Sequence, residues 1–201
     1  MSTKSGTTIV GLVFKDGVVL GSDTRAISSG KNDSEKIHCI APNIYCCGAG
    51  SEADTTAATD MVSSQLQLQQ SDPRSGSTDL RVISALAHLK SHVYQQGQGH
   101  ASSVALVLGG VDITGPHLHS IHPQYGLAEN LPFASMGTGS LGAMGMLESR
   151  YRQGLTRDEG VRLACDAICA GNMGSGSNVD ICVITTKGNK EFLRFLSLYL
   201  M

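Results

Sequence analysis

Residues 7–22 read TTIVGLVFKDGVVLGS, and this stretch decides how the fold begins. Residues 7–14 are mostly β-branched or apolar, residues 15–17 (Lys-Asp-Gly) favour a turn, and residues 18–22 are largely apolar again. Two such runs on either side of a short turn predict a β-hairpin. We therefore expect a domain that opens with two paired strands.

The rest of the chain alternates between strands and pairs of helices. Helices are predicted where apolar residues recur every three or four positions, and the second of them places Ile83 on its apolar side. Gly109-Gly110 and residues 128–130 are expected to interrupt strands. The predicted helices are 51 or 54 to about 70, 78–95, 140–151 and 157–170, and the later strands are 37–40, 44–47, 103–108, 111–114, 118–122, 132–136, 179–185 and 191–196.

The order of these elements predicts how they pack. Strands, two helices, strands, two helices and strands bury every apolar face most simply as two stacked sheets with one helix pair outside each. The sequence therefore predicts an α+β fold, a four-layer αββα sandwich. A chain of 201 residues fits a single domain, and no repeat or linker indicates a second.

The charge and composition of the chain indicate which partners and which cellular environment to expect. The net charge is −2 and no long run of Lys or Arg occurs, so nucleic acid is not an expected partner. The first six residues do not form a secretory signal, so we expect the six cysteines to be reduced thiols in cytosol or nucleus. The most apolar tract, residues 192–201, is too short for a membrane helix, and no membrane association is expected.

Several motifs follow one another along nearly the whole chain. They are GTTIVG (6–11), GSDTR (21–25), KIH (36–38), CCGAG (46–50), DT (54–55), GGVD (109–112), TGP (114–116) and GSGSN (174–178). Together they closely resemble those of the 20S proteasome beta-type subunits, most of all the trypsin-like kind and its immunoproteasome counterpart. The resemblance implies the N-terminal-nucleophile hydrolase fold. It also implies a threonine endopeptidase that cuts unfolded polypeptides after basic residues and needs no metal or organic cofactor.

By this resemblance Thr7 becomes the nucleophile. A threonine hydroxyl needs a base, and an N-terminal threonine carries one in its own α-amine, whose pKa is about 7.7–8.0. The amine is hidden behind Gly6 in the chain as written, so the hypothesis requires cleavage of the Gly6–Thr7 bond. Residues 1–6 are then a short propeptide, and residues 7–201 form the hydrolase domain.

The resemblance assigns supporting roles to five other residues. Lys36 is the cation beside the hydroxyl, and Asp23 is the carboxylate that pairs with it and orients it. The backbone N–H of Gly50 forms the oxyanion hole. Ser140 and Ser175 match two serines that support the amine.

Two departures from the family pattern leave open whether the site is catalytically active. An aspartate is expected three positions before Ser175, and Asn172 stands there. An amide does not carry the charge that favours a protonated amine, so a catalytically silent site is an alternative. The segment 26–35, which lines the substrate pocket in the family, is also shorter than usual.

The expected substrate pocket contains Gly48, Glu52 and Thr56. Gly48 at the pocket floor is expected to leave room for a long side chain. The acidic residue that the family carries after Asp54-Thr55 is Thr56 here, whereas Glu52, one helical turn earlier, is acidic. We expect Glu52 to attract Lys or Arg. The alternative is a first-turn glutamate that stabilises its helix.

Four other interpretations compete. Residues 137–142 fit the dinucleotide motif G-x-G-x-x-G, but a second helix follows where a parallel strand is required. The pairs His88/His92 and Cys165/Cys169 each share a helix face without further ligands, so no metal site is expected. The serious functional alternatives are a silent subunit that only builds the ring and, less favoured, a stand-alone amidohydrolase of the same fold.

The resemblance also implies the partners and location. They are other proteasome alpha and beta subunits in stacked seven-membered rings, unfolded polypeptide substrates, and the cytoplasm and nucleus.

Overall fold

The computed structural model describes residues 6–25, 35–71, 80–97, 104–123, 128–172 and 178–196. Within these ranges the chain forms ten strands and four helices. The strands are β1 Ile9–Phe14, β2 Gly17–Asp23, β3 Ile37–Ala41, β4 Ile44–Ala49, β5 Ala105–Asp112, β6 Gly115–Ile121, β7 Ala128–Asn130, β8 Phe133–Met136, β9 Val179–Thr185 and β10 Lys190–Phe195. The helices are α1 Glu52–Ser71, α2 Val82–Gly97, α3 Ser140–Arg150 and α4 Arg157–Gly171.

The strands form two five-stranded antiparallel sheets. The first has the order β10-β9-β2-β1-β8, and the second has the order β3-β4-β5-β6-β7. Helices α3 and α4 cover the outer face of the first sheet, and α1 and α2 cover that of the second. A third apolar cluster fills the space between the sheets. The predicted four-layer αββα sandwich is confirmed.

Glycines allow the two sheets to approach closely. A Cβ on Gly11 of β1 would lie 2.5 Å from Leu118 Cδ1, and a Cβ on Gly109 of β5 would lie 2.9 Å from Val18 Cγ1. Atoms at these distances overlap, so any larger residue would force the sheets apart. The prediction that Gly109-Gly110 interrupts a strand is therefore wrong. Both residues lie within the continuous strand β5 because packing, not a turn, requires them.

Two other sequence predictions are wrong in detail. Residues 128–130 were expected to be a loop, but they form β7, which extends the second sheet through the pair Ser120 and Glu129. Ile83 was expected on the buried side of α2, but it is 59% exposed, whereas its neighbour Val82 is fully buried. Either residue fits the periodic spacing to Leu86 and Leu89, so periodicity alone could not choose between them.

The start of α2 is fixed by a buried carboxylate. Asp112 at the end of β5 accepts hydrogen bonds from the Val82 N–H at 3.0 Å and the Thr114 N–H at 2.9 Å. The Thr114 hydroxyl and the His117 ring nitrogen also contact it, at 2.5 and 3.1 Å. Burial alone would raise the pKa of Asp112, but these hydrogen bonds outweigh it and lower the pKa to about 2. The ionised carboxylate therefore joins α2 to the β5–β6 turn.

Two further findings concern the state of the cysteines and the character of the helices. All six cysteines lie in the described ranges and are free thiols, and burial raises the pKa of Cys46 and of Cys182 to about 12. None of the helices in the described part of the chain is long and apolar enough to cross a membrane.

Replacing Asp112 with alanine is expected to lower the free energy of unfolding by about 1–3 kcal/mol, because several donors lose a charged acceptor. The folded pKa lies below the unfolded value of about 3.9, so this contribution is present above about pH 4 and is lost as the pH falls towards 2. Urea unfolding at pH 7 and pH 3 measures it. The control is Asp158→Ala at an exposed position in the first turn of α4, which should change stability much less. Equal losses of unfolding free energy in the two variants would contradict the role of Asp112 in fixing the start of α2.

Candidate active site

The backbone of Thr7 is held by the residues that precede α3. Thr7 lies just before β1 and is 5% exposed. Its N–H donates to Thr138 Oγ1 at 2.9 Å, and its carbonyl oxygen accepts from the Gly139 N–H at 3.2 Å. The Thr138 hydroxyl also lies 3.4 Å from the Thr7 carbonyl oxygen. Residues 138 and 139 therefore bind both polar groups of the Thr7 backbone.

The contact of residues 138 and 139 with the Thr7 backbone requires a glycine at position 137. Gly137 has a φ of +95°, which side-chain-bearing residues rarely adopt. A Cβ there would lie 2.3 Å from the Thr7 carbonyl oxygen. Both the positive φ and the close approach make any residue other than glycine unfavourable at position 137.

The side chains of Thr7, Lys36 and Asp23 meet at the end of the sandwich. Lys36 Nζ, just before β3, donates to Thr7 Oγ1 at 3.4 Å and to Asp23 Oδ1 at 2.9 Å. Both charged side chains are almost fully buried. Burial lowers the pKa of Lys36 below its ordinary value, and the Asp23 carboxylate partly opposes that shift. The structure thus places an ammonium with a lowered pKa against the threonine hydroxyl.

Asp23 also fixes the backbone next to Thr7. Its Oδ1 accepts the Thr8 N–H at 2.7 Å, and its Oδ2 accepts the Arg25 N–H at 3.2 Å. In addition, its own N–H donates to the Thr8 carbonyl at 3.1 Å. One carboxylate therefore sets the position of Lys36 relative to residues 7 and 8.

Asn172 contacts Thr8, the residue after Thr7. It follows the last residue of α4, and its Oδ1 accepts the Thr8 hydroxyl at 2.8 Å. An amide oxygen accepts this hydrogen bond as a carboxylate oxygen would, but it brings no negative charge. The contact is present, and the negative charge of the expected aspartate is absent.

The two predicted serines have different outcomes. Ser140 is the first residue of α3, and its side chain makes no hydrogen bond to Thr7 in the described structure. Thr138, which the sequence analysis did not select, contacts the Thr7 nitrogen instead. Its place between two glycines was the signal available in the sequence. Ser175 lies outside the described residues.

The same glycine motif explains why the dinucleotide interpretation is wrong. A Cβ on Gly139 would lie 2.7 Å from the Gly171 carbonyl oxygen, and a Cβ on Gly142 would lie 2.6 Å from that of Ala170. The glycines therefore let α3 pack closely against the end of α4. All strand pairs in the described ranges are antiparallel, so the βαβ unit of a dinucleotide site does not occur there.

A cavity of about 1080 Å³ opens beside Thr7. Gly50, whose φ is +139°, lines it between the end of β4 and α1. Gly48 also lines it, but a Cβ there would lie 2.0 Å from Thr55 Cγ2. The missing side chain of Gly48 thus makes room for Thr55, which corrects our expectation that it leaves room for a substrate side chain. The other lining residues include the predicted Lys36, Glu52 and Thr56.

Histidines and acids in the described ranges do not gather as metal ligands. No group of three His, Cys, Asp or Glu side chains is placed to bind an ion there. His88 instead contacts Gln69 of α1 at 3.0 Å.

The Gly137→Ala variant is expected to unfold about 1–3 kcal/mol more easily, because alanine is strained at this φ and its Cβ overlaps the Thr7 carbonyl. The matched control is Gly145→Ala inside α3, where a Cβ has open space. That variant should gain up to about 1 kcal/mol, because alanine favours helix more than glycine does. Chemical unfolding of the two proteins measures both effects. If Gly137→Ala proved as stable as Gly145→Ala, the close approach to Thr7 would be wrong.

Comparison with known proteins adds a second kind of information. Residues 3–184 match the family model described as "Proteasome subunit". The chain is 62% identical over 198 residues to "Proteasome subunit beta type-7-A" of Arabidopsis thaliana, covering 95% of this chain and 70% of the relative. It is 45% identical over 200 residues to "Proteasome subunit beta type-2" of Saccharomyces cerevisiae, covering 96% and 74%. It is 44% identical over 193 residues to "Proteasome subunit beta type-10" of Mus musculus, covering 93% and 68%.

Proposed function

The chain belongs to the beta-type subunits of the proteasome family, and from this membership we propose that it is an active threonine endopeptidase that cuts unfolded polypeptides after basic residues. The family predicted from the sequence motifs is confirmed, and beta subunits are in general threonine peptidases. The observation that carries the proposal for this chain is the placement of Lys36 Nζ between Thr7 Oγ1 and Asp23 Oδ1.

The first step that this geometry supports is cleavage of the chain's own Gly6–Thr7 bond. The Thr7 nitrogen is still an amide in the uncut chain, so it cannot act as a base. Lys36 is the basic group that hydrogen-bonds the hydroxyl among the described residues, and its lowered pKa increases the fraction of neutral amine, the form that accepts a proton. A base at this position fits self-cleavage before the α-amine exists.

Bond changes in this step balance without a cofactor. Thr7 Oγ attacks the Gly6 carbonyl carbon, the C–N bond to Thr7 breaks, and the nitrogen takes a proton to become the α-amine. Water then hydrolyses the ester and releases residues 1–6. Thr138 Oγ1 lies 2.9 Å from the nitrogen that leaves, so it can orient that nitrogen during bond cleavage.

Substrate cleavage repeats the same chemistry with a free amine. The α-amine of Thr7 takes the hydroxyl proton, Oγ attacks the substrate carbonyl, and water resolves the resulting ester. Lys36 stabilises negative charge near Oγ, and the Gly50 N–H is the proposed donor to the oxyanion. Gly50 suits this role because its positive φ turns the backbone at the edge of the cavity.

Asn172 supports the second candidate, a silent subunit that only builds the ring. Without a carboxylate at position 172, the protonated form of a Thr7 amine loses a stabilising charge. Against this candidate, Asn172 keeps a 2.8 Å contact to the Thr8 hydroxyl, and the Thr7, Lys36 and Asp23 contacts are intact. The geometry therefore favours the active form.

Glu52 is the proposed source of the preference for basic residues. It lies in the first turn of α1 on the wall of the cavity, and its carboxylate forms no ion pair with another described residue. An unpaired carboxylate beside the nucleophile attracts a substrate ammonium or guanidinium.

Assembly and location follow from the family as proposals. We expect the chain to pack with other alpha and beta subunits in stacked hetero-oligomeric rings, in cytoplasm and nucleus, with unfolded polypeptides as substrates.

Intact mass and N-terminal sequencing of the purified particle are expected to show a chain that begins at Thr7. Thr7→Ala should remain uncut because it lacks the hydroxyl. Lys36→Arg should also remain uncut, because arginine keeps the charge but does not accept a proton. The surface variant Lys15→Arg is the control and should be cut normally. An uncut wild-type chain in an assembled particle would support the silent subunit instead.

Glu52→Gln is expected to lower kcat/KM for a peptide with Arg before the cut by about tenfold, because a charged hydrogen bond contributes about 1.5–3 kcal/mol. The rate for the matched Leu peptide should not change. Asp54→Asn is the control, since Asp54 lies in the same helical turn but does not line the cavity. If both variants lowered both rates equally, Glu52 would only stabilise the helix.

A further inference from the structure

The cavity beside Thr7 continues well past Glu52 along α1. Glu52, Thr56 and Asp60 line it at every fourth position, so they lie on one face of the helix. Eight residues of helix span about 12 Å. Asp60, which the sequence analysis did not select, therefore lies two turns beyond the predicted specificity residue in the same cavity.

Strand β3 forms the opposite wall. Lys36 and His38 line the cavity and are two residues apart, so they lie on one side of the extended chain. Helix α1 packs against β3. The nucleophile end has Lys36, and the far end has His38 and Asp60. The cavity is thus a channel between a helix and an edge strand.

A second cavity of about 510 Å³ meets the first one at this far end. The two share Glu35, Lys36, His38 and Asp60, and the second continues to Phe192 and Arg194 between β3 and β10. The far end of the first cavity is therefore not closed. The space beside Glu52 is therefore continuous with the space beside Asp60.

The balance of charge in the channel is negative. Glu35, Glu52 and Asp60 face Arg25 and Lys36, but Lys36 is already paired with Asp23. The carboxylates of Glu52 and Asp60 form no ion pair within the described ranges. Burial lowers the pKa of His38, which favours the neutral ring, although Asp60 opposes this shift. The far end therefore presents the exposed carboxylate of Asp60, which forms no ion pair with another described residue.

We propose that Asp60 is a second specificity-determining residue, whose carboxylate attracts the positively charged end of a basic substrate side chain that lies beside Glu52. The inference rests on the proposed function, because it concerns the substrate preference of the same site. It adds a residue two helical turns away that extends the negative wall from Glu52 to the junction of the two cavities.

The test compares Asp60→Asn with the wild-type particle. The value of kcat/KM for an Arg peptide is expected to fall about two- to fivefold, as for a partly screened charge pair, and that for the matched Leu peptide should not change. Raising the ionic strength should shrink the difference between wild type and variant for the Arg peptide. Asp54→Asn again serves as the control. An unchanged Arg-to-Leu ratio in Asp60→Asn would overturn the proposal.

A binding measurement separates this proposal from the catalytic one. A fluorescent peptide that ends in agmatine carries the guanidinium but lacks the carbonyl that would follow an arginine, so it offers no bond to cut after the basic group. Weaker binding of this peptide to Asp60→Asn than to wild type supports the role of Asp60 even if neither protein cleaves a substrate, in which case the proposed activity alone fails. Equal binding to both proteins overturns the role of Asp60, whatever the turnover.

Discussion

The buried ion pair between Asp23 and Lys36 is the interaction on which the site depends. Removing either partner would leave an uncompensated charge inside the protein, which is strongly destabilising. Asp23 reduces this cost by also accepting the backbone N–H groups of Thr8 and Arg25. The same carboxylate thus joins the residues before β1, the end of β2 and the start of β3. Because Lys36 cannot move without breaking this set, its ammonium stays against the Thr7 hydroxyl.

Much of the fold could be predicted because the patterns are strong and local. The opening hairpin, both helix pairs and the closing strands follow from apolar periodicity and turn residues, and their order leaves few ways to bury all apolar faces. Gly109-Gly110 was misjudged because glycine has two uses that look alike in sequence. Glycine permits a turn, and it also permits close packing of two sheets. Only the position of Val18 and Leu20 across the interface shows which of these two uses applies to Gly109.

The site, like the fold, could be predicted only in part. Thr7, Asp23 and Lys36 were identifiable from ordered motifs, and the structure brings them within hydrogen-bonding distance. Thr138 could not be distinguished from Ser140 in the sequence, because both hydroxyl residues stand in the same short glycine-rich segment. Which of them faces Thr7 depends on where α3 begins, and that is set by the close contact of Gly137 with the Thr7 carbonyl. Sequence spacing does not contain this information.

The departures from the expected motifs concern charge more than architecture. Asn172 accepts the hydrogen bond from Thr8 but carries no negative charge on that side of Thr7. On the other side, Glu52 and Asp60 place negative charge along α1 where Thr56 is neutral. The backbone contacts of Thr7 depend on neither feature, since they come from residues 138 and 139. The charge around Thr7 can therefore change through these side chains while the frame that holds the threonine stays the same.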